Sequence, residues 1–117
     1  MSVQSLVFYL FFVGVITSPN FPSNYPNNYR NTDTVRTKKG MALALEFTSF
    51  STESCCDTVT IRDGDETVLM AAKGGNDLPA KIWSRTNVVH LDFVTDGSST
   101  YSGWSANWTA VPATGKS

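Results

Sequence analysis

Apolar and polar positions alternate along much of the chain. In residues 41–47, Met41, Leu43, Leu45 and Phe47 fall on one face, the period of a strand with one buried side. The same period pairs Val59 with Ile61 in 58–62 and sets Trp104, Ala106 and Trp108 opposite Ser105, Asn107 and Thr109 in 103–111. Further short runs at 34–37, 67–72, 81–84 and 87–94 read as strands. Between them stand Lys39-Gly40, Asp63-Gly64-Asp65 and Gly74-Gly75-Asn76-Asp77, of which Asp63-Gly64-Asp65 predicts a hairpin turn. No segment carries an apolar stripe of helical period and length. The pattern predicts an all-β fold, an antiparallel sandwich.

Residues 18–31 break the pattern with three prolines and five asparagines interleaved with Phe21, Tyr25 and Tyr29. Proline removes ladder donors and asparagine favours turns, so this is an ordered loop held down by its aromatics. At the start, Leu6 to Val13 is an apolar run with no Lys or Arg before it and no small-residue cleavage site after it. That makes an imperfect secretion signal, and the run is too short for a helical membrane span. The expectation is a first strand over 3–16 buried on both faces, the alternative a strand donated to a neighbouring subunit. The chain thus divides into residues 1–13, an apolar strand or signal-like segment; 14–111, one domain; and 112–117, a tail.

Composition adds boundaries. A chain of 117 residues, 41% hydrophobic and 16% charged, suffices for one self-supporting core. Net charge is −1 and Lys38-Lys39 is the largest basic run, so neither nucleic acid nor an anionic membrane surface is an expected partner. Cys55 and Cys56 are adjacent. A bridge between them, free thiols, and bonds to another chain all stay open. Catalysis finds no nucleophile–base pair: His90 is alone on a strand, and Asp57 beside Cys56 disfavours its thiolate. Asn107-Trp108-Thr109 is an N-glycosylation sequon on the outward phase of the last strand.

Several segments together resemble the CUB domain family: GVITSPNFPSNYPNN at 14–28, Lys39-Gly40-Met41 leading into the alternating strand, Asp57-Thr58-Val59-Thr60-Ile61-Arg62-Asp63-Gly64, Leu78-Pro79, Ser84-Arg85-Thr86-Asn87, and Phe93 to Ala106 with its Gly103-Trp104. The resemblance implies a jelly-roll of two antiparallel sheets and a secreted, non-enzymatic module that binds an extracellular protein or glycan, as single-domain members such as spermadhesins do. It further implies a Ca²⁺ site built from Glu53, Asp57 and Asp96, with the main-chain carbonyl of Ser98 or Gly97. Oxygen-rich loops suit that ion. In many members such a site receives a partner's lysine or arginine, which would make Glu53 and Asp96 docking acids, with Tyr101 on the same pair of loops (51–57 and 95–103). The family's two bridges are not reproduced: Asn31 and Gly74 stand where cysteines are expected, and Cys56 replaces a tyrosine before Asp57. The alternative function is a structural subunit that self-assembles through its N-terminal strand or through Cys55-Cys56.

Overall fold

The computed structural model describes residues 13–113. It contains eight strands: β1 (Val13–Thr17), β2 (Arg30–Arg36), β3 (Met41–Ser51), β4 (Thr58–Asp63), β5 (Val68–Lys73), β6 (Ile82–Trp83), β7 (Val88–Val94) and β8 (Gly103–Pro112). They form two four-stranded sheets, β1-β8-β3-β6 and β2-β7-β4-β5, antiparallel at every pairing. This is the expected jelly-roll sandwich.

The two inner faces supply the core. Leu43, Leu45 and Phe47 of β3 and Trp104 and Ala106 of β8 meet Val59 and Ile61 of β4 and Val89, Leu91 and Phe93 of β7, each at most 3% exposed. Trp104 stacks edge-to-face on both Phe47 and Phe93, with ring centroids 6.0 and 5.9 Å apart. Rings in this arrangement attract beyond their area burial.

Three departures from the expected elements have local causes. β3 continues past Phe47 to Ser51 because a bulge at Thr48 shifts the register, so that Phe47 faces Ala106 and Phe50 faces Trp104. Strict alternation would have turned Phe50 away from the core; the extra residue returns it. β2 starts at Arg30 rather than 34 although residues 30–32 are polar and exposed, since its seven-residue pairing with β7 defines it. The β4–β5 connection is longer than an Asp-Gly turn, with Glu66 in the left-handed conformation (φ 75°).

The expected first strand lies mostly outside the described residues. Its described part is not buried on both faces: β1 is a sheet edge, and Val13 and Val15 are 50% and 65% exposed.

Just beyond β1, Ser18 is clamped to the start of β8. Ser18 donates its N–H to the Trp104 carbonyl at 2.9 Å, and its Oγ accepts the Trp104 N–H at 3.0 Å. The clamp requires Gly103, whose φ is +88° and where a Cβ would sit 2.0 Å from Ser18 Oγ. On the outer face of the second sheet, Arg62 grips Asp92 with two bonds, Nε to Oδ2 at 2.7 Å and Nη2 to Oδ1 at 3.0 Å. It also pairs with Glu66.

Two outcomes follow from these contacts. Gly103→Ala, strained in conformation and colliding with a buried clamp, should lower unfolding stability by roughly 2–4 kcal/mol, read by urea denaturation. The second outcome concerns acid. The Arg62 guanidinium foremost, offset in part by burial and helped by Thr32, holds the Asp92 carboxyl below its ordinary 3.8. A carboxyl depressed on folding contributes stability that is complete above its unfolded value and lost as pH falls through the folded one. Asp92→Asn should therefore cost about 1 kcal/mol at neutral pH, a deficit that shrinks in denaturation curves taken below pH 3.8.

Candidate metal centre at the loop end

At the end of the sandwich where β4 begins, three loops converge on one carboxylate. Asp57, fully buried, accepts the Tyr25 hydroxyl at Oδ2 (2.7 Å) and the Asp96 N–H at Oδ1 (2.9 Å). Tyr25 comes from the β1–β2 loop, Asp57 from the β3–β4 loop and Asp96 from the β7–β8 loop. The Tyr25 oxygen also accepts the Glu53 N–H at 3.2 Å, and its ring meets Phe93 edge-on at 5.0 Å. Burial first, and then the bond to Asp57, push the Tyr25 hydroxyl well above its ordinary range. It therefore stays a proton donor to Asp57 throughout the physiological range.

Each loop is braced in turn. Thr95 Oγ1 donates to the Pro26 carbonyl and accepts the Tyr29 N–H, and Asn28 donates its N–H to the Asp96 carbonyl at 2.7 Å. Thr52 donates Oγ1 to the Asp57 carbonyl and accepts the Gly75 N–H. Gly74 lies so close to the β3–β4 loop that an added Cβ would sit 2.7, 2.9 and 3.1 Å from the carbonyl oxygens of Asp57, Ser54 and Glu53. Within that loop the Cys56 and Asp57 N–H groups both donate to the Glu53 carbonyl at 3.1 Å, and Cys55 and Cys56 are bonded to each other.

The result is a cluster of Glu53, Asp57 and Asp96 with one oxygen of each within 4.8 Å of the others. Two oxygens on opposite sides of one Ca²⁺, at ~2.4 Å each, would be about that far apart, so the set is compact enough to share a single ion. Glu53 Oε1 is buried and without a hydrogen-bond partner among the described residues. Burial, then the neighbouring Asp96 and Asp57 charges, hold the Glu53 carboxyl above its ordinary value. An orphaned, desolvated carboxylate oxygen beside two more carboxylates fits a cation.

Of the other expected site residues, Ser98 turns its N–H to Asp96 Oδ1 at 3.2 Å. Tyr101 is 45% exposed and lines a depression of about 220 Å³ with Ser51, Thr52, Ser54, Gly75 and Asn76. Asn107 is exposed midway along β8 and is not drawn into the cluster. His90 lies on the opposite sheet against Thr34. Tyr25 was legible only as a packing aromatic. Nothing in its sequence neighbourhood signals a bond to a residue thirty-two positions away, although it falls inside the Pro-Asn-rich motif.

A jelly-roll sandwich whose loops gather acidic side chains at one end defines the class of protein. The chain belongs to the CUB domain family, whose model matches residues 12–108. Among relatives, human cubilin is 39% identical over 103 residues, covering 82% of this chain and 3% of cubilin. An astacin-like metalloendopeptidase of Gallus gallus is 35% identical over 105 residues, covering 84% of this chain and 25% of that protein. The chain thus spans a small part of the curated relatives it matches. Among solved structures, the CUB1-EGF-CUB2 region of human MASP-1/3 superposes with a TM-score of 0.79 at 30% identity, over 86% of this chain and 39% of that one. The MASP-1 CUB2 domain bound to Ca²⁺ superposes with 0.77 at 25% identity, over 84% and 92%. Among the described residues no helix is long and apolar enough to cross a membrane.

Removing the Tyr25 hydroxyl leaves one oxygen of a buried carboxylate short of its donor. Tyr25→Phe should cost about 1–3 kcal/mol in chemical denaturation; an unchanged midpoint would mean that Asp57 is held without it.

Proposed function

We propose that the chain is an extracellular, non-enzymatic binding module that uses Ca²⁺ to order its loop end and there receives a basic side chain of a partner protein. Glu53, Asp57 and Asp96 hold the ion, with the Ser98 or Gly97 carbonyl as a further oxygen. The single observation that carries this reading is the buried, unpartnered Glu53 Oε1 within 4.8 Å of two other carboxylates. The Ca²⁺ bound to the similar MASP-1 domain supports it. When bound, Ca²⁺ neutralises the mutual repulsion of the three acids and cross-links the β3–β4 and β7–β8 loops.

The protein's own residues do the rest. Tyr25 and the Asp96 N–H fix Asp57 in place. Glu53 and Asp96, both half-buried, keep carboxylate oxygens at the rim for a lysine or arginine. Exposed Tyr101 offers a flat neighbouring contact. Exposed Asn107 and Thr109 support glycosylation of the sequon on a secreted chain. A second reading, self-association, is favoured by the edge position of β1 with its exposed Val13 and Val15.

Calcium titration tests the main reading. Free Ca²⁺ at 100 times its Kd should add ~2.7 kcal/mol of stability and raise Tm by roughly 10 °C, and Asp96→Ala should abolish both that rise and the calorimetric heat. An unchanged Tm in millimolar Ca²⁺, or intact affinity in Asp96→Ala, would sink the site. Light scattering decides the second reading: a monomer over the working concentration range excludes it.

A further inference from the structure

We infer that the Cys55–Cys56 bridge is a reducible site that controls the calcium affinity of the loop in which it lies. This rests on the calcium reading above and adds a regulator to it.

The bridge sits between Glu53 and Asp57, in the loop that supplies two of the three carboxylates. The chain between them closes on itself, the Cys56 and Asp57 N–H groups both donating to the Glu53 carbonyl. The backbone torsions of Cys55 and Cys56 therefore set the path from one ligand to the next. A bond between adjacent side chains ties those torsions into an eight-membered ring and removes most of their freedom. Asp57 has independent anchors in Tyr25 and the Asp96 N–H. The Glu53 main chain is held by its bond to Tyr25 and by the turn, while its Oε1 has no hydrogen-bond partner among the described residues. Opening the ring loosens the turn, so the loss falls on Glu53. The consequence is weakened binding rather than abolished binding, because the reduced loop must be ordered each time the ion binds.

The chemistry is accessible from one side. Cys55 is exposed and Cys56 half-buried, so a dithiol reductant attacks at Cys55. Its thiolate forms a bond to the Cys55 sulfur, the Cys55–Cys56 bond breaks, and the electron pair leaves with Cys56, which takes up a proton. The second thiol of the reductant then displaces Cys55. The net change is one protein disulfide and one dithiol converted to two protein thiols and one reductant disulfide.

Linkage makes the control reciprocal: whatever factor reduction removes from Ca²⁺ affinity, Ca²⁺ must impose on the reduction equilibrium. We expect an affinity about tenfold lower in the reduced chain. By reciprocity, saturating Ca²⁺ should shift the midpoint of the couple by about 30 mV toward more reducing values.

The test uses the full chain, titrated calorimetrically with Ca²⁺ when oxidised, when reduced by dithiothreitol and after reoxidation, alongside Cys55→Ser/Cys56→Ser. Thiol labelling in graded dithiothreitol buffers, with and without Ca²⁺, reads the midpoint. Near-tenfold weaker binding in the reduced chain and the double variant, restored on reoxidation, with the matching midpoint shift, supports the control. Equal affinity in both redox forms overturns it and leaves the calcium site standing. No heat in any form overturns the calcium site and the control together. A bridge that dithiothreitol reduces only on global unfolding, read by near-ultraviolet circular dichroism, overturns the control alone.

Discussion

The loop end is organised around the side chain of Asp57, sealed inside the sandwich. A buried carboxylate is tolerable only when donors satisfy it, and here the donors come from two other loops, the Tyr25 hydroxyl and the Asp96 N–H. Satisfying that one side chain therefore fixes three loops relative to each other. The aromatic core feeds into the same point: Trp104 packs on Phe93, Phe93 on Tyr25, and Tyr25 hydrogen-bonds Asp57. The position of Asp57 is thus set from the hydrophobic interior.

The opposite end of β4 provides an internal control. Asp63 is equally buried, yet the protein saturates it. It accepts the Gly64 and Thr86 N–H groups and the Thr86 hydroxyl at Oδ1, and the Arg85 N–H at Oδ2. That carboxylate pins the β4–β5 turn to the β6–β7 turn, with both of its oxygens partnered. The Glu53–Asp57–Asp96 end has three carboxylates and a shortage of donors, with Glu53 Oε1 unmet. Two buried aspartates, one just before β4 and one at its end, thus have different meanings, and the distinction is made by counting partners, not by burial.

That count could not be made from the sequence. Period-two alternation located β3, β4, β7 and β8 because each sets its large apolar side chains on one face, and Trp104 and Trp108 were assignable to the core on phase alone. Alternation failed where pairing or a bulge overrides it: at polar Arg30 to Asp33, which form a strand only because β7 lies alongside, and at Thr48, whose bulge redirects Phe50. The acidic trio was reachable only through family resemblance, since Asp96 is thirty-nine residues from Asp57 and no local pattern joins them. Tyr25 was missed as a polar partner for the same reason. Its ring is encoded locally, but its hydroxyl acquires a function only through a tertiary contact.

One missing cysteine of the family pattern, at Gly74, has a counterpart in packing. At position 74 the backbone is pressed against three carbonyls of the β3–β4 loop, and a side chain there would displace Glu53 and Asp57 together. The absent bridge at that place therefore has a steric counterpart: glycine lets the Gly74-Gly75 turn dock directly, with Thr52 bonded to Gly75 through both its backbone and its hydroxyl. A bridge contributes ~2–4 kcal/mol by restricting the unfolded chain, and the burial of a single large apolar side chain contributes about 1.5–3 kcal/mol. The ring cluster of Phe47, Phe50, Phe93 and Trp104 is of sufficient size to offset the loss. The cysteines that remain are then free of a global stapling role, and their effect is confined to the few torsions between Glu53 and Asp57.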